Sequence, residues 1–441
     1  MKLVKISLVL ALFSVFSIAC GEDDKGAKAN SKESNAESKT DKDSAAKDSN
    51  KTPPAIKWRK GYNLPNSEGG HPHHAVETKD GGFAVIGETD AGKRYTMFVL
   101  VTDKDGGVVF RKDFGAGGWS NGNHVLQEPD GNFLVAGSHD TSGTADANSL
   151  STQEHERVIL RIDPKGNVLA KKTFPSKGRD AIRGLHLNSD GTIIAVGYKG
   201  GKYDDETFII TSAKAFIMKL NKDFEILWEK DESKFAELRK VLKSKDGKGY
   251  VAAGNMLADE SAYFSLHFTD LEGKAKNSIK YDLGDLYDFD MDSDGNYIMG
   301  GHVKKTDSDP DGFQGMALKV DKDGKKLWLK YFGNADDLKP AAKIYDECYG
   351  VRAIPSGGYI FACGSGVEPP YTSESPPEDV RMWRALLARF DKDGNLLWQK
   401  NYTDGKIDDA SEYVVTTSDG GFAFFNDSTA LGGYGIYRLN P

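Results

Sequence analysis

Hydrophobic stretches with a helical period are scarce in this chain of 441 residues, so little of it is available for a helical core. No apolar run long enough to span a membrane follows the first 20 residues. A basic excess is also missing. Lys and Arg number 58 against 66 Asp and Glu, for a net charge of −8 and no basic stripe. Nucleic acid is therefore not an expected partner. Only three cysteines occur, Cys20, Cys348 and Cys363. Glycine is plentiful, at 49, as many tight turns require.

What the chain does have is one recurring stretch. Asp80-Gly81-Gly82-Phe83-Ala84-Val85-Ile86-Gly87 is a tight turn that feeds a short β-branched and aromatic strand. It returns as Asp130-Gly131, Asp190-Gly191, Asp246-Gly247 (with Tyr250), Asp294-Gly295, Ser356-Gly357-Gly358 and Asp419-Gly420-Gly421. Intervals of about 50 to 60 residues indicate a propeller or an array, and they override the two or three domains that length alone suggests.

Each unit carries a second mark. An apolar strand meets an Asp-rich turn and then a strand often bearing Trp and Lys. The clearest copy runs from Arg389-Phe390-Asp391-Lys392-Asp393-Gly394 to Trp398-Gln399-Lys400. Asp-Gly between alternating apolar residues signals a hairpin. Two hairpins, A-B and C-D, make one antiparallel blade. The seventh unit stops at Pro441 without a D strand, while Ile56 to Tyr62 carries the Trp-x-Lys pattern of a D strand with no A-B-C before it. An all-β, seven-bladed β-propeller closed by the N-terminal strand, over 56–441, is the expected fold, and closure removes two open sheet edges.

These hairpins resemble the repeats of bacterial β-propeller repeat lipoproteins. The strands of Trp228, Trp328 and Trp398 are similar to the Trp-docked repeats of quinoprotein-like propellers. Phe110 keeps an aromatic at the Trp position, and Ala170 and Asn277 do not. The Thr-Gly-Lys of the quinoprotein repeat is not reproduced, so no quinone is implied. The repeated Trp residues are expected to pack between blades.

The N-terminus fits the lipoprotein resemblance. Lys2 and Lys5 precede an apolar stretch from Ile6 to Phe16, as in a secretion signal (1–20). Ser17-Ile18-Ala19-Cys20 resembles a lipobox, with Ser17 in place of the usual Leu, and this implies lipidation of Cys20. Residues 21–55 hold eight Asp and Glu, seven Lys and no aromatic side chain, which reads as a disordered tether. Glu22-Asp23-Asp24-Lys25 resembles acidic surface-export signals. The expected location is the bacterial cell envelope, through a lipid anchor, at the outer membrane or cell surface rather than the inner membrane.

The long insertions fall between strands B and C, at about 138–156, 199–214, 303–314 and 365–382. Insertions on one face mark the binding face. Strand A lines the channel of a propeller, so its first residues are candidates for the mouth: His71, His73, His74, His124, Asp285, Asp346, Glu347 and Asp409 for a ligand, with Asn123, Asp180, Arg183, Glu237, Arg239, Asp288 and Glu412 beside them. A ring of acids and His suits a polar ligand or a metal. Asp307, Asp309 and Asp311 match the start of a calcium loop but lack the Glu at its twelfth place, where Leu318 stands. Trp119 and Trp383 are candidates for stacking on a sugar ring or a partner. Cys348 and Cys363 flank an A-B turn, and a disulfide between them is allowed after export.

No nucleophile with a matched His and acid emerges, and the Asp turns are not sialidase boxes. The expected function is a monomeric, surface-tethered binding or scaffolding propeller for a protein or glycan, with no cofactor beyond calcium. The alternative is a hydrolase or lyase with carboxylates at the channel mouth.

Overall fold

A computed structural model describes residues 51–62, 70–90, 95–115, 120–140, 154–204, 209–211, 213–258, 261–304, 312–337, 344–367 and 381–441. Its architecture starts from two turns. In the first A-B turn, the N–H of Thr78 donates to the Gly82 carbonyl at 2.8 Å and the N–H of Gly81 to the Thr78 carbonyl at 2.9 Å. Gly81 sits at φ +77°, which glycine reaches without a Cβ penalty. In the C-D turns the leading Asp holds the loop. Asp103 Oδ1 accepts from the backbone N–H of Asp105 at 2.9 Å and of Gly107 at 2.6 Å. Asp163, Asn221, Asp270, Asp321 and Asp391 repeat that double acceptance. This is why the second mark of each repeat begins with Asp or Asn.

The hairpins form seven antiparallel sheets, one per blade. Six have four strands, and in the third the long B strand Ile193–Asp204 also pairs with Ile209–Thr211. No α-helix occurs among the described residues. The last sheet is ordered Ile56–Gly61, Gly433–Leu439, Phe422–Ser428, Asp409–Thr416. Trp58 faces Arg438 and Gly61 faces Gly435, and the N–H of Asn440 donates to the Ala55 carbonyl at 2.9 Å. The N-terminal strand supplies strand D of blade 7, and the chain is a closed seven-bladed β-propeller.

Apolar side chains are shared between blades. Phe83, Val85 and Phe98 of blade 1 form one core with Phe425, Tyr434 and Ile436 of blade 7. The D-strand aromatics dock under the C-D turn of the next blade. A Cβ on Gly106 would lie 2.9 Å from the Trp58 ring, on Gly273 2.4 Å from Trp228 and on Gly394 2.8 Å from Trp328. The Trp column is thus inter-blade packing, and it needs glycine in the turn above it.

The A strands are Gly70–Glu77, Ser120–Gln127, Arg179–Leu187, Phe235–Lys243, Asp285–Met291, Tyr345–Ala353 and Asp409–Thr416. Each carries an extra, unpaired residue opposite strand B at the same place: His73, Asn123, Arg183, Arg239, Tyr287, Tyr349 and Glu412, and blades 3 and 4 have a second register shift nearer the start of the strand. Such a bulge re-aims the side chain it adds. The glycine that ends the repeated stretch faces this site. A Cβ on Gly137 would lie 1.8 Å from the Asn121 carbonyl, and Gly87, Gly197, Gly254 and Gly301 are crowded in the same way. Blade 6 has Cys363 there, directly opposite Cys348, and the two are joined in a disulfide.

Candidate functional site

The bulged residues build a polar belt around the channel, each blade handing on to the next. His73 Nδ1 lies 2.9 Å from the Gly122 carbonyl of blade 2. Arg183 of blade 3 donates to Asn123 Oδ1 of blade 2 at 2.9 Å and pairs with Glu237 of blade 4 at 3.3 Å. Arg239 donates to Glu237 at 2.6 Å and lies over the Tyr287 ring of blade 5, 4.1 Å from its centroid. Tyr287 meets Tyr349 of blade 6 edge to face at 4.9 Å, and the Tyr349 hydroxyl donates to Glu347. Glu412 of blade 7 contacts His71 of blade 1 at 2.8 Å.

The blade 7–blade 1 seam holds the densest chemistry. His71, Glu412 and Asp427 present ligand atoms that all lie within 4.8 Å of one another, which makes them the group that can hold a metal ion among the described residues. Burial disfavours a charged His71, but Glu412, Asp427 and Glu88 more than offset this and hold its pKa well above the ordinary value. Burial, together with Glu412 and other nearby carboxylates, lifts Asp427 to about 7.

At blade 5, burial with Glu237 nearby lifts Asp285 to about 6 despite Arg239. Burial and Arg239 press His302 down to about 3, leaving a neutral imidazole stacked on Tyr287 at 5.0 Å. Glu237 moves the other way: against the cost of burial, Arg239 and Arg183 keep its carboxylate below the ordinary range.

The expected mouth residues divide into three groups. His71, His73, Asp285 and Glu347 lie at the belt. His74 and His124 sit one layer below it, their rings tilted against each other with centroids 3.7 Å apart. Asp346 and Asp409 require correction, because both are turned away from the channel into their blades. Asp346 accepts from the N–H of Asn334 at 3.0 Å, pinning the connection before its strand. Asp409 accepts from Asn426 at 2.5 Å and from the Tyr437 hydroxyl. Neighbours on a strand point to opposite faces, so Asp346 and Glu347 cannot share the channel. Trp383 is also corrected: it is buried over Gly364 and Gly366 rather than offered for stacking. Cys20, Trp119, Asp307, Asp309 and Asp311 lie outside the described residues.

Sequence reasoning missed Glu88, Asp427, Tyr287, Tyr349 and His302. Glu88 and Asp427 belong to strand B and reach the site because their strand lies beside strand A. Their position next to the repeated glycine, or to Asn426 in its place, is the signal that could have found them.

No protein-family model matches the chain, and no curated protein matches it in sequence. Its likeness is to solved structures. Kuenenia stuttgartiensis hydrazine synthase is similar at 14% identity and TM-score 0.52, covering 86% of this chain and 97% of that one. The Neurospora crassa Pan2 WD40 domain is similar at 10% identity and TM-score 0.50, covering 84% and 90%. At these identities the likeness is one of fold.

Proposed function

We propose that this protein is a lipid-anchored lipoprotein of the bacterial envelope whose propeller binds a protein or glycan at the belt and the loops above it. One observation carries the reading. The repeat keeps its turns, and blades 1 to 5 keep the glycine beside the bulge, yet the bulged position takes five residue types over the seven blades: His73, Asn123, Arg183 and Arg239, Tyr287 and Tyr349, and Glu412. A position held polar or aromatic but varied around a ring offers an asymmetric set of donors and acceptors, as recognition of one partner needs. The propeller fold is compatible with that role and does not by itself choose the partner. The lipobox-like Ser17-Ile18-Ala19-Cys20 supports the anchor.

Two measurements test this. Metabolic labelling with an alkyne palmitate should mark the full chain and be lost in Cys20→Ser. Glycan and envelope-protein arrays probed with the full chain should give a signal that His73→Ala and Tyr349→Phe reduce. An unlabelled wild type, or binding indifferent to both substitutions, would refute the respective half.

The enzyme alternative draws on Asp285, whose raised pKa suits a general acid. Turnover lost in Asp285→Asn with binding retained would favour it.

A further inference from the structure

Beneath the belt, on the face of the A-B turns, the channel widens into a cavity of about 680 Å³. Its wall is an apolar ring of Val76, Leu126, Leu242 and Val415, one residue each from blades 1, 2, 4 and 7. Polar side chains line its inner end, His74, His124, Lys240 and Arg352, while His186 of blade 3 stands at the level of the apolar ring and packs against Tyr250. His124 is only 3% exposed and Lys240 8%.

The carboxylates near these groups are already engaged. Asp288 lies behind the cations, accepting from Lys240 Nζ at 2.8 Å and from Arg352. Asp290 accepts from the backbone N–H of Met291 at 2.9 Å and of Ala353 at 3.1 Å. Glu77, at the rim, accepts from the Ser418 backbone N–H at 2.7 Å and its hydroxyl at 3.0 Å. Lys79, also at the rim, reaches the Pro129 carbonyl.

Donors therefore exceed acceptors at the inner end. An ammonium carries three donors and a guanidinium five. Lys240 gives one hydrogen bond to Asp288, and Arg352 uses one nitrogen, for Asp288 and the Val351 carbonyl. Among the described residues no hydrogen bond reaches the ring nitrogens of His124 or His186, and both rings line the cavity. Donors that outnumber the acceptors around them suit a ligand that brings acceptors of its own, and the apolar ring favours a hydrocarbon body over bulk water.

We propose that this cavity is a binding site for a small organic carboxylate with an apolar body, its head held by Lys240, Arg352 and His124 and its body by the ring of Val76, Leu126, Leu242 and Val415. The site is distinct from the belt and opens on the opposite face. It depends on the cavity alone and stands or falls separately from the partner proposed above.

The test is calorimetric titration of the full chain with three probes of one length: hexanoate, hexan-1-ol and hexylamine. Hexanoate is expected to bind at millimolar concentration or below, and the other two at least about tenfold more weakly, because they leave the cationic donors unpaired. Leu126→Trp, which fills the ring, should abolish hexanoate binding. Lys240→Gln should erase the preference for hexanoate over hexanol. If Lys240→Gln does not fold, the probe series and Leu126→Trp decide. Absence of hexanoate binding at millimolar concentration, equal binding of all three probes, or full binding in Leu126→Trp would overturn the proposal.

Discussion

Phe224 stands in the C-D turn of blade 3 where the other complete blades have glycine, and it shares a core with Ala170, the residue that departs from the Trp column in blade 2. The other turns place Gly106, Gly166, Gly273, Gly324 and Gly394 at this point. Glycine there leaves room for the aromatic residue beneath. With Ala170 beneath, the turn itself supplies the ring, and Phe224 accepts φ +65° to do so. Its ring is buried under the Arg161 guanidinium, 4.9 Å from the centroid. The two departures compensate each other.

A double-mutant cycle tests that pairing. Phe224→Gly should relieve backbone strain but empty the site, for a net loss of about 1–3 kcal/mol. Ala170→Trp alone should overpack against Phe224 at similar cost. The double variant should lose less than the sum of the two in urea denaturation. Simple additivity would show that the residues do not compensate.

Much of this was legible in the sequence because hairpin turns have strict backbone chemistry. Asp-Gly pairs marked the turns, and the lone Trp58 strand marked the closure. The belt was less legible. A bulge adds one residue without any local signature and reverses which residues face the channel beyond it. Asp346 and Asp409 stand before the bulge, and there the ordinary alternation of a strand decides: reading the start of each A strand as a mouth gathered His71 and Glu347 correctly but also these two, which face the blade interior. Glu88 and Asp427 come from a different strand, so no spacing in strand A could point to them.

The crowded glycines give a second outcome. Gly137→Ala places a methyl 1.8 Å from the Asn121 carbonyl, so the A and B strands of blade 2 must separate. A loss of about 3 kcal/mol or more is expected by thermal denaturation.

Asp285 makes the stability depend on pH. Its folded pKa, about 6, exceeds the ordinary 3.8, so the fold favours the protonated form. Its contribution is full below the ordinary value and is lost as pH rises through about 6. Asp285→Asn should therefore be more stable than wild type at pH 8, by about 1–3 kcal/mol, with little gain at pH 4. Urea midpoints at the two values check this.

The bond between Cys348 and Cys363 closes a segment with a sequence separation of 15 inside blade 6. Its loss, by reduction or by replacing both residues with Ser, should cost about 3 kcal/mol of unfolding free energy. Calorimetry with and without a phosphine reductant measures it, and the reductant should have no further effect on the double Ser variant.

Closure of the ring by Ile56–Gly61 underlies both ends of the channel, since the blade 7–blade 1 seam carries His71, Glu412 and Asp427. Hydrogen exchange across Gly433–Leu439 reports on it directly. In the full chain these amides should be protected like those of the inner strands, and removing residues 51–61 should expose them and destabilise the neighbouring blades. Unchanged protection after that deletion would contradict the closure and the site built upon it.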